Sequence, residues 1–140
     1  NLPDLAHSPF AHLLDAEDAF HAYTQHHNRK LLRLSHRLQK NYPQVSWIYV
    51  DVHAFTDHVF DHAASFDFQN LTDSCQEATV DTHVPFSVLK MAASLPSPQA
   101  SFVGNCNAFF FFDLIHPTTQ VHALLAEHLR EIFDQHHLVF

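Results

Sequence analysis

The sequence predicts an α/β fold. Two short runs, "VSWIYV" at 45–50 and "AFFFF" at 108–112, are built almost wholly from β-branched and aromatic residues, as buried strands are. Segments with apolar residues at helical spacing flank both, giving the order helix, strand, helix, excursion, strand, helix. Two strands make a poor sheet, so more are expected from elsewhere.

The first helix is expected over 15–39, where Ala19, Phe20, Tyr23, Leu31, Leu34 and Leu38 recur at helical spacing. Acids open it and Arg29, Lys30, Arg33, Arg37 and Lys40 close it, a polarity that suits the helix dipole. Asn41, Tyr42 and Pro43 stop it, "VSWIYV" follows as a buried strand, and Asp51 closes that strand. Phe55, Val59 and Ala63 then mark a short helix over 54–66.

Residues 67–106 lack long periodicity and contain Pro85, Pro96 and Pro98, so they are expected to form a long excursion with one helical turn near 86–93. "AFFFF" is the second strand, with its phenylalanines in the core. Thr118 is a suitable N-cap for a last helix reaching Phe133, whose core stripe is Val121, Leu124, Leu125, Leu129, Ile132 and Phe133.

With 140 residues, of which 46% are hydrophobic, the chain suits one domain and not a disordered segment. A net charge of −8 argues against a nucleic-acid partner. The single glycine, Gly104, excludes glycine-rich phosphate loops. No apolar run approaches the ~18 residues that span a bilayer, and no basic segment followed by an apolar region opens the chain. The start "NLPDLAHSPF", without methionine, suits a processed product or a piece of something longer.

Cys75 and Cys106 bracket most of the excursion. An even count at the ends of an unpatterned loop, without metal-type spacing, favours a disulfide and an oxidising compartment, secreted or periplasmic; two separate buried thiols are the alternative. Closing about 30 residues would stabilise the fold by roughly 3 to 4 kcal/mol.

Asp113 and His116 lie just past the second strand, where functional groups of open α/β sheets gather. An Asp that accepts a hydrogen bond from one ring nitrogen would orient His116, leaving the other nitrogen to take a proton from a serine hydroxyl. A D-x-x-H pair at such a junction can equally serve only to cap the helix.

The block "FFFFDLIHPTTQVHALLAEHL" resembles the terminal block of the GDSL, or SGNH, ester hydrolases, in which a strand leads into D-x-x-H-P-T and a helix. "NLPDLAHSP" is similar to the segment after that family's Gly-x-Asn-Asp block, and "YPQVSWIYVDVHAFTDHVF" to the strand and helix that come next. "FDFQNLTDSC" resembles the stretch before a cysteine in the branch of secreted bacterial lysophospholipases and glycerophospholipid:cholesterol acyltransferases. The resemblance covers nearly the whole chain. It implies that residues 1–140 are the C-terminal part of a single hydrolase domain of flavodoxin-like, three-layer α/β/α architecture with a parallel sheet.

The same resemblance implies a Ser-His-Asp triad in which this chain supplies Asp113 and His116, a lysophospholipid or other lipid ester as substrate, and no cofactor or metal. Its partners would be the N-terminal half that carries the serine and, peripherally, a membrane. The chain departs from the family in lacking the Gly-Asp-Ser-Leu nucleophile block, the oxyanion glycine and Gly-x-Asn-Asp, and Asp67 stands where the family has glycine. Ser8, Ser35, Ser46 and the other serines match none of these motifs, so the chain alone is expected to be inactive. Phe66, Phe68, Phe86 and Phe102 are candidates for acyl-chain contact.

The non-enzymatic alternative is a histidine-rich metal-binding or interaction module, suggested by fifteen histidines. His58 and His62 are four apart on the predicted helix, beside Asp57 and Asp61, and could share a metal. No H-E-x-x-H accompanies them. His116, His122 and His128 drift around their helix, and His21, His26, His27, His136 and His137 have no spacing that raises them above surface residues.

Overall fold

The computed structural model of the chain describes residues 1–75 and 106–138. In order they form a 3-10 turn at Leu5–His7, helices α1 (Pro9–Leu13), α2 (Glu17–Asn41) and α3 (Val52–Asp61), and a 3-10 turn at Ala63–Phe66. Strand β1 (Asn70–Ser74), a 3-10 turn at Cys106–Ala108, strand β2 (Phe109–Phe111) and helix α4 (Thr119–Gln135) follow. Among the described residues the fold is therefore mixed α/β, with one sheet of two parallel strands. The helical turn expected near 86–93, and Phe86 and Phe102, lie outside the described residues. Contacts divide the chain into two units, Asn1–His7 with Ala11–His62, and Ser8–Phe10 with Ala63–Phe140.

The first unit is organised by α2. Phe20, Leu31 and Leu38 sit on its less exposed face as the spacing requires, but Tyr23 and Leu34 are exposed. Polar residues take the inner positions instead, because the N-terminal segment needs partners for its backbone. Leu5 N–H donates to the fully buried Thr24 hydroxyl oxygen, and Leu2 and Asn28 exchange two hydrogen bonds, Leu2 N–H to Asn28 Oδ1 and Asn28 Nδ2 to Leu2 O. His21 binds Asp4 through Nδ1, so His21, Thr24 and Asn28 form a row three and four residues apart along the helix.

Helix α3 begins where Asp51 Oδ1 accepts from Ala54 N–H. Asn1 reinforces this start, its Nδ2 donating to Asp51 and its Oδ1 accepting from His53 N–H. Val59 is fully buried, and the Thr56 hydroxyl donates to the Val52 carbonyl.

The strand expected at 45–50 does not form. Val45 and Trp47 are exposed, and the chain leaves α2 through a turn in which Val45 N–H donates to Tyr42 O. A β-rich run becomes a strand only when another strand completes its ladder. Among the described residues, the two strands present pair with each other.

The second unit supplies a strand where an excursion was expected. β1 pairs with β2 in parallel, Asn70 opposite Phe109 and Ser74 opposite Phe111, with a register shift between. Asn70 accounts for the irregularity: its Oδ1 accepts from Thr72 N–H and Asp73 N–H and its Nδ2 donates to Asp73, bending the strand locally. Gln69 N–H to Ala108 O and Cys75 N–H to Phe111 O bracket the sheet. Cys75 and Cys106 form the disulfide, their Cα atoms 5.6 Å apart.

Phe10, Phe68, Phe110, Phe111, Leu114 and Val121 are buried in this unit, and the Phe68 and Phe110 rings lie 5.7 Å apart. Phe68 is thus a core residue; Phe66 is half-buried, and its carbonyl accepts from Gln120 Nε2. The α4 stripe is as expected, with Val121 buried and Leu124, Leu125, Leu129, Ile132 and Phe133 half-buried. Asp67 has φ 61°, the left-handed region glycine favours. No helix among the described residues is long and apolar enough to cross a membrane.

Candidate active site

The site is a tight reversal between β2 and α4. Phe112 N–H donates to His116 O, Pro117 pairs antiparallel with Phe111, and Thr118 N–H donates to Phe110 O, so residues 112–116 turn back upon the strand they leave. Proline suits the return, since it disfavours a helical residue before it. Thr118 is the N-cap of α4, but its hydroxyl does not cap; it donates to Phe109 O and ties the far side of the loop to the strand. At the tip, Leu114 is buried and its carbonyl accepts from Phe10 N–H.

Within this frame the aspartate has both oxygens engaged. Oδ1 accepts from Ile115 N–H at 2.8 Å and His116 N–H at 2.7 Å, an Asx-type turn that makes the carboxylate part of the loop's own structure. Oδ2 meets His116 Nδ1 at 2.7 Å. A carboxylate can only accept, so Nδ1 carries the hydrogen and Nε2 of the neutral ring keeps its lone pair. The Asp113 side chain is 22% exposed and that of His116 58%, so the acid is sheltered while the base meets solvent.

The structure brings together both residues that the sequence singled out, at the carboxyl end of a parallel strand. It also brings Cys75 close, through the bond from its N–H to Phe111 O. Among the described residues no hydroxyl is hydrogen bonded to His116 Nε2.

A second Asp–His pair escaped the sequence reading. Asp4 Oδ2 holds His21 Nδ1 at 2.5 Å while Asp4 Oδ1 accepts from Ala6 N–H. Burial pushes the Asp4 carboxyl up, but the His21 hydrogen bond, the Ala6 N–H and the charges of His21 and His7 outweigh it and leave it below the ordinary aspartate value. The partners are 17 residues apart, and no local spacing announces them.

The His58 and His62 rings lie 4.4 Å apart, tilted by 37°, and His62 Nδ1 donates to the His58 carbonyl. Among the described residues no three His, Cys, Asp or Glu side chains are grouped so as to hold a metal ion. Compared with known proteins, the chain matches no family model and no curated sequence.

Proposed function

We propose that the chain is the Asp- and His-bearing part of a serine ester hydrolase of the GDSL type, acting on lysophospholipids or other lipid esters. The observation that supports this most is the half-exposed His116, held through Nδ1 by a carboxylate that its own loop immobilises. Asp67 adds to it, because a left-handed residue is found where the family has glycine.

The nucleophile would be a serine on polypeptide that precedes these residues in the folded enzyme. As its Oγ attacks the ester carbonyl, His116 Nε2 takes the hydroxyl proton, and Asp113 stabilises the resulting imidazolium. His116 then gives that proton to the departing alkoxide. A water, deprotonated by the same nitrogen, releases the acid; an alcohol in its place gives acyl transfer. Donors for the oxyanion would come from the serine-bearing part.

Fatty-acid release from lysophosphatidylcholine by the chain joined to its serine-bearing part tests the proposal. His116→Ala should remove turnover with the fold retained. Unchanged turnover would end the assignment and leave the histidine-rich binding module as the working reading.

A further inference from the structure

The charge of this acidic molecule is unevenly placed. Residues 19–50 contain five of the chain's seven Lys and Arg and none of its fifteen Asp and Glu. All five, Arg29, Lys30, Arg33, Arg37 and Lys40, lie on α2 and are exposed. At about 100° per residue they fall within an arc of roughly 100°, opposite the face formed by Phe20, Thr24, Leu31 and Leu38. Among the described residues none of the five is in an ion pair, so their charge is not neutralised.

Apolar side chains flank this stripe. Leu32 and Leu34 are exposed on either side of it, and Tyr42, Val45 and Trp47 are exposed on the segment that follows. Trp47 is the chain's one tryptophan and is 38% exposed. A basic helix edged by leucines and continued by Tyr and Trp has the composition of a surface that rests at the headgroup level of a membrane, with charge facing phosphate and aromatic rings entering the acyl boundary. Within 45–50, which is not a strand, Val45 and Trp47 are exposed, whereas Ile48, Tyr49 and Val50 are half-buried.

We propose that the C-terminal half of α2, with the Tyr42–Trp47 segment, is the surface by which the protein docks on a bilayer containing anionic phospholipid. The net charge of −8 does not oppose this, because at physiological salt a membrane senses charge within about 8 Å. The inference stands apart from the Asp113–His116 chemistry and would hold for a protein with no esterase activity.

The test uses phosphatidylcholine vesicles with and without phosphatidylserine. Mixed vesicles should sediment the protein and shift Trp47 emission to the blue, whereas neutral vesicles should do neither. Replacing three charges together, Arg33→Gln, Arg37→Gln and Lys40→Gln, at exposed positions that leave helicity by circular dichroism intact, should weaken binding on the order of 100-fold. Trp47→Ser should lower it less, and His116→Ala should leave it unchanged. Equal binding to neutral vesicles, an undiminished triple variant, or binding to an RNA oligonucleotide but not to vesicles would overturn the proposal.

Discussion

Asp113 holds His116 within one short loop, three residues away, whereas Asp4 holds His21 from 17 residues away. In both pairs Oδ2 faces Nδ1, Oδ1 takes backbone N–H, the acid is sheltered and the imidazole is about half exposed. The difference lies in what each pair connects. Asp4–His21 joins two segments of the first unit, in line with the Thr24 and Asn28 bonds, and so acts as one fastening among several. Asp113–His116 joins nothing distant, because the loop is already closed by the bonds of Phe112 and Thr118. An oriented imidazole that the fold does not need is the better candidate for chemistry.

Several substitutions would break or sharpen that contrast. The largest effect should fall on ester turnover: Asp113→Asn in the serine-complemented enzyme should lower kcat on the order of 10³- to 10⁴-fold, through loss of the correct tautomer, while Asp4→Asn should leave kcat unchanged. Equal losses from both would make the two pairs alike and refute the distinction.

Next in size, Cys75→Ser with Cys106→Ser should lower unfolding free energy by roughly 3 to 4 kcal/mol in urea titrations. Because Cys75 N–H also holds Phe111 O, amide exchange should rise in the His116 loop before it rises at His21. The reverse order would detach the disulfide from the site.

Asp4→Ala should then cost about 1 to 2 kcal/mol, a modest figure because His21 is half exposed and solvent screens the pair. Since the folded Asp4 carboxyl titrates below the ordinary 3.8, its contribution is present above that value and lost as pH falls through the lower folded one. The difference between wild-type and Asp4→Ala urea midpoints should shrink accordingly as pH is lowered past 3.8. A difference that persists would show the pair to be something other than ionic.

The smallest effect is conformational. Asp67→Gly should stabilise by a few tenths of a kcal/mol, and Asp67→Ala should destabilise by about 1 kcal/mol, because φ is positive there.

What the sequence made legible was local. α2, α4 and β2 followed from periodicity and residue type, and the Asp113–His116 pair followed from a three-residue spacing on one turn. The cysteines were readable because they bracket a segment without pattern. What escaped it depended on partners distant along the chain. "VSWIYV" has strand composition but no strand beside it among the described residues, whereas the polar Asn70–Ser74 became a strand because β2 offered a ladder. Asp4–His21 and the inner polar row of α2 were hidden for the same reason, since each bond spans 17 to 26 residues.

The central claim is that His116 Nε2 is the general base of an ester hydrolase. Lysophosphatidylcholine hydrolysis by the serine-complemented enzyme, compared for wild type, His116→Ala and His21→Ala at equal folded concentration, addresses it most directly. The account predicts that turnover disappears with the first substitution and survives the second. Turnover that survives both, or that is absent from the wild type, would contradict it.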